Sequence, residues 1–105
     1  MKEKDIQNEI RMALNPYAIV FRINVGVFNT SDGRQISTGV PKGFSDLFAV
    51  RRHDGRAVFL EVKTETGKPS KEQLNFLEQM RRIGAIAGVV RSADEAIDLV
   101  MEGKI

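Results

Sequence analysis

The sequence contains no cysteine. Disulfide bonds, thiolate zinc sites and a cysteine nucleophile are therefore excluded, although this absence does not identify the compartment. No apolar run approaches the roughly 20 residues that a transmembrane helix needs, and the first residues lack a signal-peptide pattern. We therefore expect a protein without a membrane partner and, by default, a cytoplasmic one.

A large excess of one charge is also missing, because 16 Lys and Arg stand against 14 Asp and Glu for a formal net charge of +2. The isoelectric point of about 9.2 is compatible with nucleic-acid binding and equally with an ordinary solvated surface of mixed charge. Aromatic residues make up only 7% of the chain, and most lie within apolar runs. With the exceptions of Phe28 and Phe44 they do not suggest stacking on nucleobases, so backbone recognition is the better expectation.

The 105 residues, of which 42% are apolar and 29% charged, have the length and composition of one globular domain, 1–105. Apolar periodicity and capping signals predict the order α, β, insertion, β, β, α, β, α. A strand–helix–strand crossover near the end implies a mixed central β-sheet flanked by helices, which is an α/β fold. The predicted elements are a helix over Lys2–Leu14, a strand over Tyr17–Val25, a polar insertion over Gly26–Val40, two strands within residues 43–63, a helix from Ser70, a strand over Ile86–Val90 and a helix from Ser92.

The segment 43–63 contains two apolar runs joined by the polar sequence 51–56, which predicts a β-hairpin. Neither run alternates with polar residues, so both strands are expected to be buried on both faces. An acid stands at one end of each run: Asp46 comes directly before the first run, and Glu61 lies near the end of the second. Lys63 shares the face of Glu61, because alternate residues of a strand point to the same side.

The register of this hairpin decides whether Asp46 joins Glu61 and Lys63. A two-residue loop at Asp54-Gly55 places Asp46 opposite Lys63, whereas a loop at His53-Asp54 places it opposite Glu61. Either register gathers the three charges on one face, at the end of the hairpin away from its turn. A three-residue loop would turn Asp46 to the other face unless a bulge restored the register. The site therefore requires an even loop or a compensating bulge.

Two carboxylates held close together repel each other unless a cation lies between them. A hard divalent ion such as Mg²⁺ suits oxygen ligands, and the main-chain carbonyl of Val62 could supply one more. Lys63 could orient a water or neutralise charge on a phosphate, so the set Asp46, Glu61 and Lys63 suits phosphodiester hydrolysis. The alternative is an ordinary salt-bridge patch on a solvated sheet, since Glu-x-Lys alone is very common.

These residues carry a family resemblance. The sequence Gly43-Phe44-Ser45-Asp46 precedes Glu61-Val62-Lys63 by about fifteen residues, with Gln73 on the next helix and Glu9 on the first. This arrangement resembles the PD-(D/E)XK nuclease superfamily and, within it, a stand-alone VRR-NUC domain, the virus-type replication-repair nuclease module. The resemblance extends from about Lys4 to Val90 and implies a restriction-endonuclease-like core. Serine stands where the superfamily name has proline, a form usual in this branch.

The resemblance implies a role for each matching residue. Asp46 and Glu61 would bind Mg²⁺ or Mn²⁺ together with the Val62 carbonyl, and Glu9 would be the acid of the first helix near the metal. Lys63 would position and activate the water. Gln73 would help to hold the lysine, the water or the phosphate. Its position three residues after Ser70 also completes a capping box, so a purely structural role stays open.

DNA is the implied substrate, bound without regard to sequence through its phosphates. The leading hypothesis is a metal-dependent endonuclease of structured DNA, acting as a homodimer that resolves Holliday junctions, with the insertion Gly26–Val40 as the dimer contact. The alternatives are a flap or nicking nuclease of replication and repair, or a non-catalytic DNA-binding module on the same fold. The candidate DNA contacts are Lys42, Lys68, Lys71, Arg11, Arg22 and Arg34.

Overall fold

Three helices and six strands make up the described part of the computed structural model, which covers residues 1–37 and 39–103 without the side chains of Val27 and Phe28. The predicted order of elements is confirmed. No helix within these ranges is long and apolar enough to cross a bilayer. The elements are α1 (Glu3–Leu14), β1 (Ala18–Arg22), β2 (Val27–Asn29), β3 (Gln35–Ser37), β4 (Leu47–Arg51), β5 (Ala57–Val62), α2 (Lys71–Arg82), β6 (Ile86–Val90) and α3 (Ala93–Glu102).

Four strands form the central sheet in the order β1-β4-β5-β6. Antiparallel pairing joins β1 to β4 and β4 to β5, whereas β6 runs parallel to β5 after the crossover through α2. The mixed sheet flanked by helices is therefore confirmed. β1 is shorter than the predicted strand Tyr17–Val25, since pairing with β4 ends where Arg22 meets Leu47.

Both faces of the sheet are covered by helices, which explains why the central strands do not alternate. α1 and α3 pack on one face and bury the larger core. α2 packs on the other face, mainly against β5 and β6, around Phe59 and Leu77. It leaves the β1 side of that face open, where Ile19 and Phe21 are each 48% exposed.

The turn between β4 and β5 contains four residues, 52–55, rather than two. The N–H of Arg51 donates to the carbonyl of Arg56 at 2.9 Å, and Gly55 N–H donates back to the carbonyl of Arg51 at 2.8 Å. The loop is even, and Leu47 pairs with Leu60. This is the register predicted for the loop at His53-Asp54, the one that places Asp46 opposite Glu61.

The insertion forms a separate antiparallel hairpin of β2 and β3. Its tip closes where Thr30 N–H donates to the carbonyl of Arg34 at 2.7 Å. The insertion predicted for Gly26–Val40 therefore contains a hairpin, with Thr38 outside the described residues.

Both later helices begin at a serine N-cap. Ser70 accepts from Gln73 N–H at 3.1 Å, and the Gln73 side chain accepts from Ser70 N–H at 2.7 Å, so the predicted capping box of α2 is confirmed. At α3, Ser92 accepts from Glu95 N–H at 3.1 Å. The expected return bond to Ser92 is replaced, because the Glu95 carboxylate accepts from Arg91 N–H at 3.0 Å.

Candidate active site

The hairpin register brings Asp46 and Glu61 side by side at the end of the sheet opposite the turn. Asp46 directly precedes β4, and its main-chain carbonyl accepts from Ile23 N–H at 2.8 Å. Its Oδ2 accepts from Val62 N–H at 2.9 Å. The carboxylate thus continues the ladder between β4 and β5 with a side chain in place of a carbonyl, which fixes its position beside Glu61.

The Glu61 side chain lies inside the protein, with only 1% of the residue exposed. Its Oε2 accepts from Gln73 Nε2 at 3.0 Å and lies 3.6 Å from Lys63 Nζ. The other oxygen, Oε1, is buried with no hydrogen-bond partner among the described residues. A buried acceptor without a donor is costly, so a further group is expected to satisfy it.

Burial, together with the negative charge of the neighbouring Asp46 carboxylate, raises the pKa of Glu61 to about 8. The ammonium of Lys63 opposes this shift, and the carboxylate of Glu3 adds to it. A cation bound beside the carboxylate would oppose this shift.

A third acid completes the cluster, and it is Glu3 rather than Glu9. One carboxylate oxygen from each of Glu3, Asp46 and Glu61 lies within 4.8 Å of the others. At roughly 100° per residue, Glu3 lies within about 20° of the centre of the buried stripe of α1, whereas Glu9 lies about 100° away from it. The stripe made of Ile6, Ile10 and Leu14 could have identified Glu3, had it been followed one turn towards the N-terminus.

Glu9 instead lines a small recess of about 260 Å³ together with Glu65, Arg91 and Ser92. It is exposed and does not belong to the acidic cluster. The first helix does contribute an acid to the cluster, but from its first turn, which lies near the ends of β4 and β5 that carry Asp46 and Glu61.

Gln73 fills both of the roles that its sequence position suggested. Its Oε1 accepts from Ser70 N–H to complete the capping box, while its Nε2 donates to Glu61. The two bonds use opposite ends of the amide, so they do not compete. The N-terminus of α2 is therefore connected directly to the buried carboxylate.

Gly43 allows the segment before Asp46 to lie against this same helix end. It is buried with φ +92°, and a Cβ there would come within 2.7 Å of the Glu72 carbonyl oxygen. Only glycine fits such a close approach at a positive φ. The contact places Lys42 near Glu72, whose pKa it helps to lower after the bonds to the main chain and to Ser70.

Comparison with known proteins agrees with this geometry. The sequence profile of the VRR-NUC domain matches residues 1–94. The chain belongs to the VRR-NUC domain family. A solved structure described as a "VRR_NUC domain" is similar to it, with a TM-score of 0.67 and 26% identity over 97% of each chain. No curated protein matches the sequence.

This VRR-NUC domain therefore has the nuclease-type fold that its motifs suggested. Its acidic cluster offers only oxygen atoms as metal ligands. One of them, Glu61 Oε1, is buried and accepts no hydrogen bond from the described residues. Such a set fits a hard divalent cation, which would both neutralise the repelling acids and satisfy Glu61 Oε1. The C=O of Val62 points to the same side as its N–H, towards Asp46, because the two groups of one strand residue face the same neighbour.

The cations predicted to contact DNA are not equally available on the VRR-NUC fold. Lys68 and Lys71 are exposed where the chain enters α2, and Lys42 is exposed on the segment before β4 that packs against Glu72 of the same helix. Arg34 lies on the β2–β3 hairpin, where it pairs with Asp32 at 3.0 Å. The remaining two candidates, Arg11 on α1 and Arg22 on β1, are exposed.

Of the two phenylalanines considered for stacking on bases, Phe44 is engaged inside the protein. It packs against Phe59 and Phe76, with ring centroids 5.7 and 4.6 Å away. The side chain of Phe28 lies outside the described part of the chain.

Proposed function

We propose that this VRR-NUC domain is a Mg²⁺- or Mn²⁺-dependent endonuclease that hydrolyses phosphodiester bonds in structured DNA. The observation that carries the proposal is the buried Glu61 oxygen without a donor, in a side chain that lies beside two further carboxylates. A protein that only binds DNA gains nothing from such a costly arrangement. A cation-dependent nuclease needs it.

The residues divide the work as follows. Asp46, Glu61 and the Val62 carbonyl would hold the cation, with Glu3 in place of Glu9 as the acid from the first helix. When bound, the cation polarises the phosphate and lowers the pKa of a nearby water. Lys63 orients the attacking water and offsets negative charge that develops on the phosphate.

Gln73 positions Glu61 in this scheme. Its amide occupies Oε2 at 3.0 Å, so the carboxylate is held in one orientation and Oε1 is left for the cation. Partners of this kind typically tune metal affinity without touching the metal themselves.

A panel of labelled junction, flap, nicked and linear DNAs at matched salt, each with Mg²⁺, Mn²⁺ or Ca²⁺, tests the activity and its preferred substrate. We expect cleavage with Mg²⁺ or Mn²⁺ and a preference for a four-way junction. Preference for flaps or nicks would make the protein a nuclease of another step of replication or repair. Binding without any cleavage by the parent would leave a DNA-binding module and contradict the enzyme.

Holliday-junction resolution requires two sites at a fixed separation, which a two-fold dimer supplies. The candidate contact is the β2–β3 hairpin, where Ile36 is 46% exposed and the neighbouring Val25 is 39% exposed. Deleting Ser31–Arg34 from the tip and measuring mass by light scattering tests this contact. An unchanged dimer would contradict it.

A further inference from the structure

Two depressions flank α1, and they differ in charge. The recess with Glu9 and Glu65 on its wall is small and carries carboxylates. On the opposite flank, a groove of about 740 Å³ runs between α1 and the edge strand β1. Its lining contains no acidic residue and consists of Asn8, Arg11, Met12, Asn15 and Val20.

The polar side chains that line the groove form one row along α1. Asn8, Arg11 and Asn15 follow each other at spacings of three and four residues, and Lys4 continues the row one turn before Asn8, outside the lining. All four are exposed, and neither Lys4 nor Arg11 forms a salt bridge with any described residue. A row of unpaired cations and amide donors is complementary to an anion with repeated charges.

On the opposite side, β1 continues beyond the lining residue Val20 to a further cation. Arg22 stands two residues after Val20 and hence on the same face of β1. It is exposed and likewise forms no salt bridge with the described residues. Both sides of the groove therefore present positive charge.

Both walls of the groove lead to the acidic cluster. α1 begins at Glu3, whose carboxylate belongs to that cluster, and β1 ends beside Ile23, which bonds to Asp46. At 1.5 Å per helical residue, Asn8 lies about 8 Å, Arg11 about 12 Å and Asn15 about 18 Å along α1 from Glu3. Successive phosphates of one strand advance about 3.4 Å along the axis of B-DNA and lie further apart along the strand itself, so Arg11 reaches about the second to fourth phosphate from the cluster.

We propose that this groove holds one strand of a DNA arm as it leaves the active site, with Lys4, Arg11 and Arg22 on its phosphates and Asn8 and Asn15 donating to them. The inference rests on the proposed function, since it assumes DNA as the substrate. It gives the substrate a direction: the strand follows α1 from its N-terminus towards Asn15. Phosphate contacts of this kind fix orientation and carry no sequence preference.

Substitution of one groove cation tests the proposal against a matched substitution elsewhere. Arg11→Gln and Arg82→Gln each remove one charge from an exposed helical position, and Arg82 lies at the far end of α2, where it pairs with Glu78 at 3.3 Å. Binding is measured on a Lys63→Ala background, so that the labelled junction stays intact, over a series of salt concentrations. We expect Arg11→Gln to weaken binding about tenfold and to reduce the salt slope by about 0.9, and Arg82→Gln to do neither.

Neutral phosphates locate the contact along the strand. With the cut position mapped on the parent, methylphosphonates replace single phosphates from the first to the eighth nucleotide beyond it. The Lys63→Ala protein is expected to lose affinity most between the second and fourth positions, and the protein that also carries Arg11→Gln is expected to be insensitive there. Equal losses at all positions in both proteins would overturn the proposal.

The outcomes separate this inference from the nuclease proposal. If the parent cleaves DNA but Arg11→Gln binds and cleaves as the parent does, the groove is wrong and the nuclease stands. If Arg11→Gln weakens DNA binding as expected but the parent never cleaves, the groove stands and the nuclease is wrong. A change in mass by light scattering without a change in DNA affinity would make the groove a contact between copies and overturn the inference. Matched thermal melting of the variants excludes misfolding as the cause.

Discussion

The hairpin of β4 and β5 carries buried charged groups at both ends, and the two ends differ in how completely the protein neutralises those charges. At the turn, Arg51 is 7% exposed and donates to Asp54 at 3.0 Å and to the Val100 carbonyl at 2.7 Å. The Arg51 guanidinium, joined by the N–H of Arg56, holds the pKa of Asp54 well below its usual range. Every charge at this end has a partner, and the pair fastens the turn to α3.

At the other end, Glu61 is buried among acids, its pKa is raised, and one oxygen has no donor. Lys63 lies 3.6 Å away and compensates only part of the charge. The comparison shows which buried charge serves the fold and which serves chemistry. A structural ion is neutralised by the protein itself, whereas a site for a cation leaves its charge for the ligand to neutralise.

Removing the charged groups of the site should have the largest effect and tests whether this end of the hairpin serves chemistry. Lys63→Ala and Glu61→Ala should each reduce cleavage by about 10²- to 10⁴-fold, because both act where charge develops. Initial rates on the preferred DNA, with thermal melting of each variant, measure this. If the parent and both variants nick DNA equally, the site lies elsewhere.

Gln73→Leu should reduce activity by about 10- to 100-fold at low Mg²⁺, with partial recovery at high Mg²⁺, since the amide orients Glu61 without touching the cation. Titrations of activity against Mg²⁺ measure the shift. Ser70→Ala is the control, because it loses the capping bond, a change of about 1 kcal/mol, but keeps the bond from Gln73 to Glu61. An equal loss in both variants would mean that Gln73 acts only as a cap.

At the turn, Asp54→Asn should lower the melting temperature and leave the rate per folded molecule unchanged. The substitution leaves the buried guanidinium of Arg51 without its carboxylate, and the turn lies at the opposite end of the strands from the acids. Thermal denaturation at pH 7 and initial rates well below the melting temperature measure the two effects. A loss of activity without a loss of stability would contradict the division between the two ends.

The last effect is on stability against pH without metal. The folded pKa of Glu61, about 8, is above the unfolded value near 4.5, so its ionisation opposes folding. This contribution to stability is fully present below about pH 4.5 and is lost as pH rises to 8. Melting temperatures in EDTA across this window should therefore fall more for the parent than for Glu61→Gln. The low pKa of Asp54 acts below the window and does not interfere. Identical curves for both proteins would show that Glu61 is not perturbed.

Much of the architecture could be predicted from sequence, because it depends on local signals. Capping residues and apolar periodicity mark the helices, and the even turn brings Asp46 to Glu61 as the register required. Their catalytic roles stay predictions. The acid that the first helix contributes to the cluster is Glu3 and not the predicted Glu9, because the buried stripe of α1 extends one turn before Ile6. The dual bonding of Gln73 depends on the distance between α2 and β5, which no single segment specifies.

The four-residue turn has a consequence for how this gene can vary. Surface turns usually tolerate insertions and deletions one residue at a time. Here the turn lies about 17 Å from Asp46 along β4 and yet decides which face that carboxylate occupies. A single inserted residue would have to be accompanied by a bulge, whereas a pair could be accepted without one. Active relatives should therefore differ in the length of this turn by even numbers, which makes turn length a marker of an intact site in a part of the chain that never touches it.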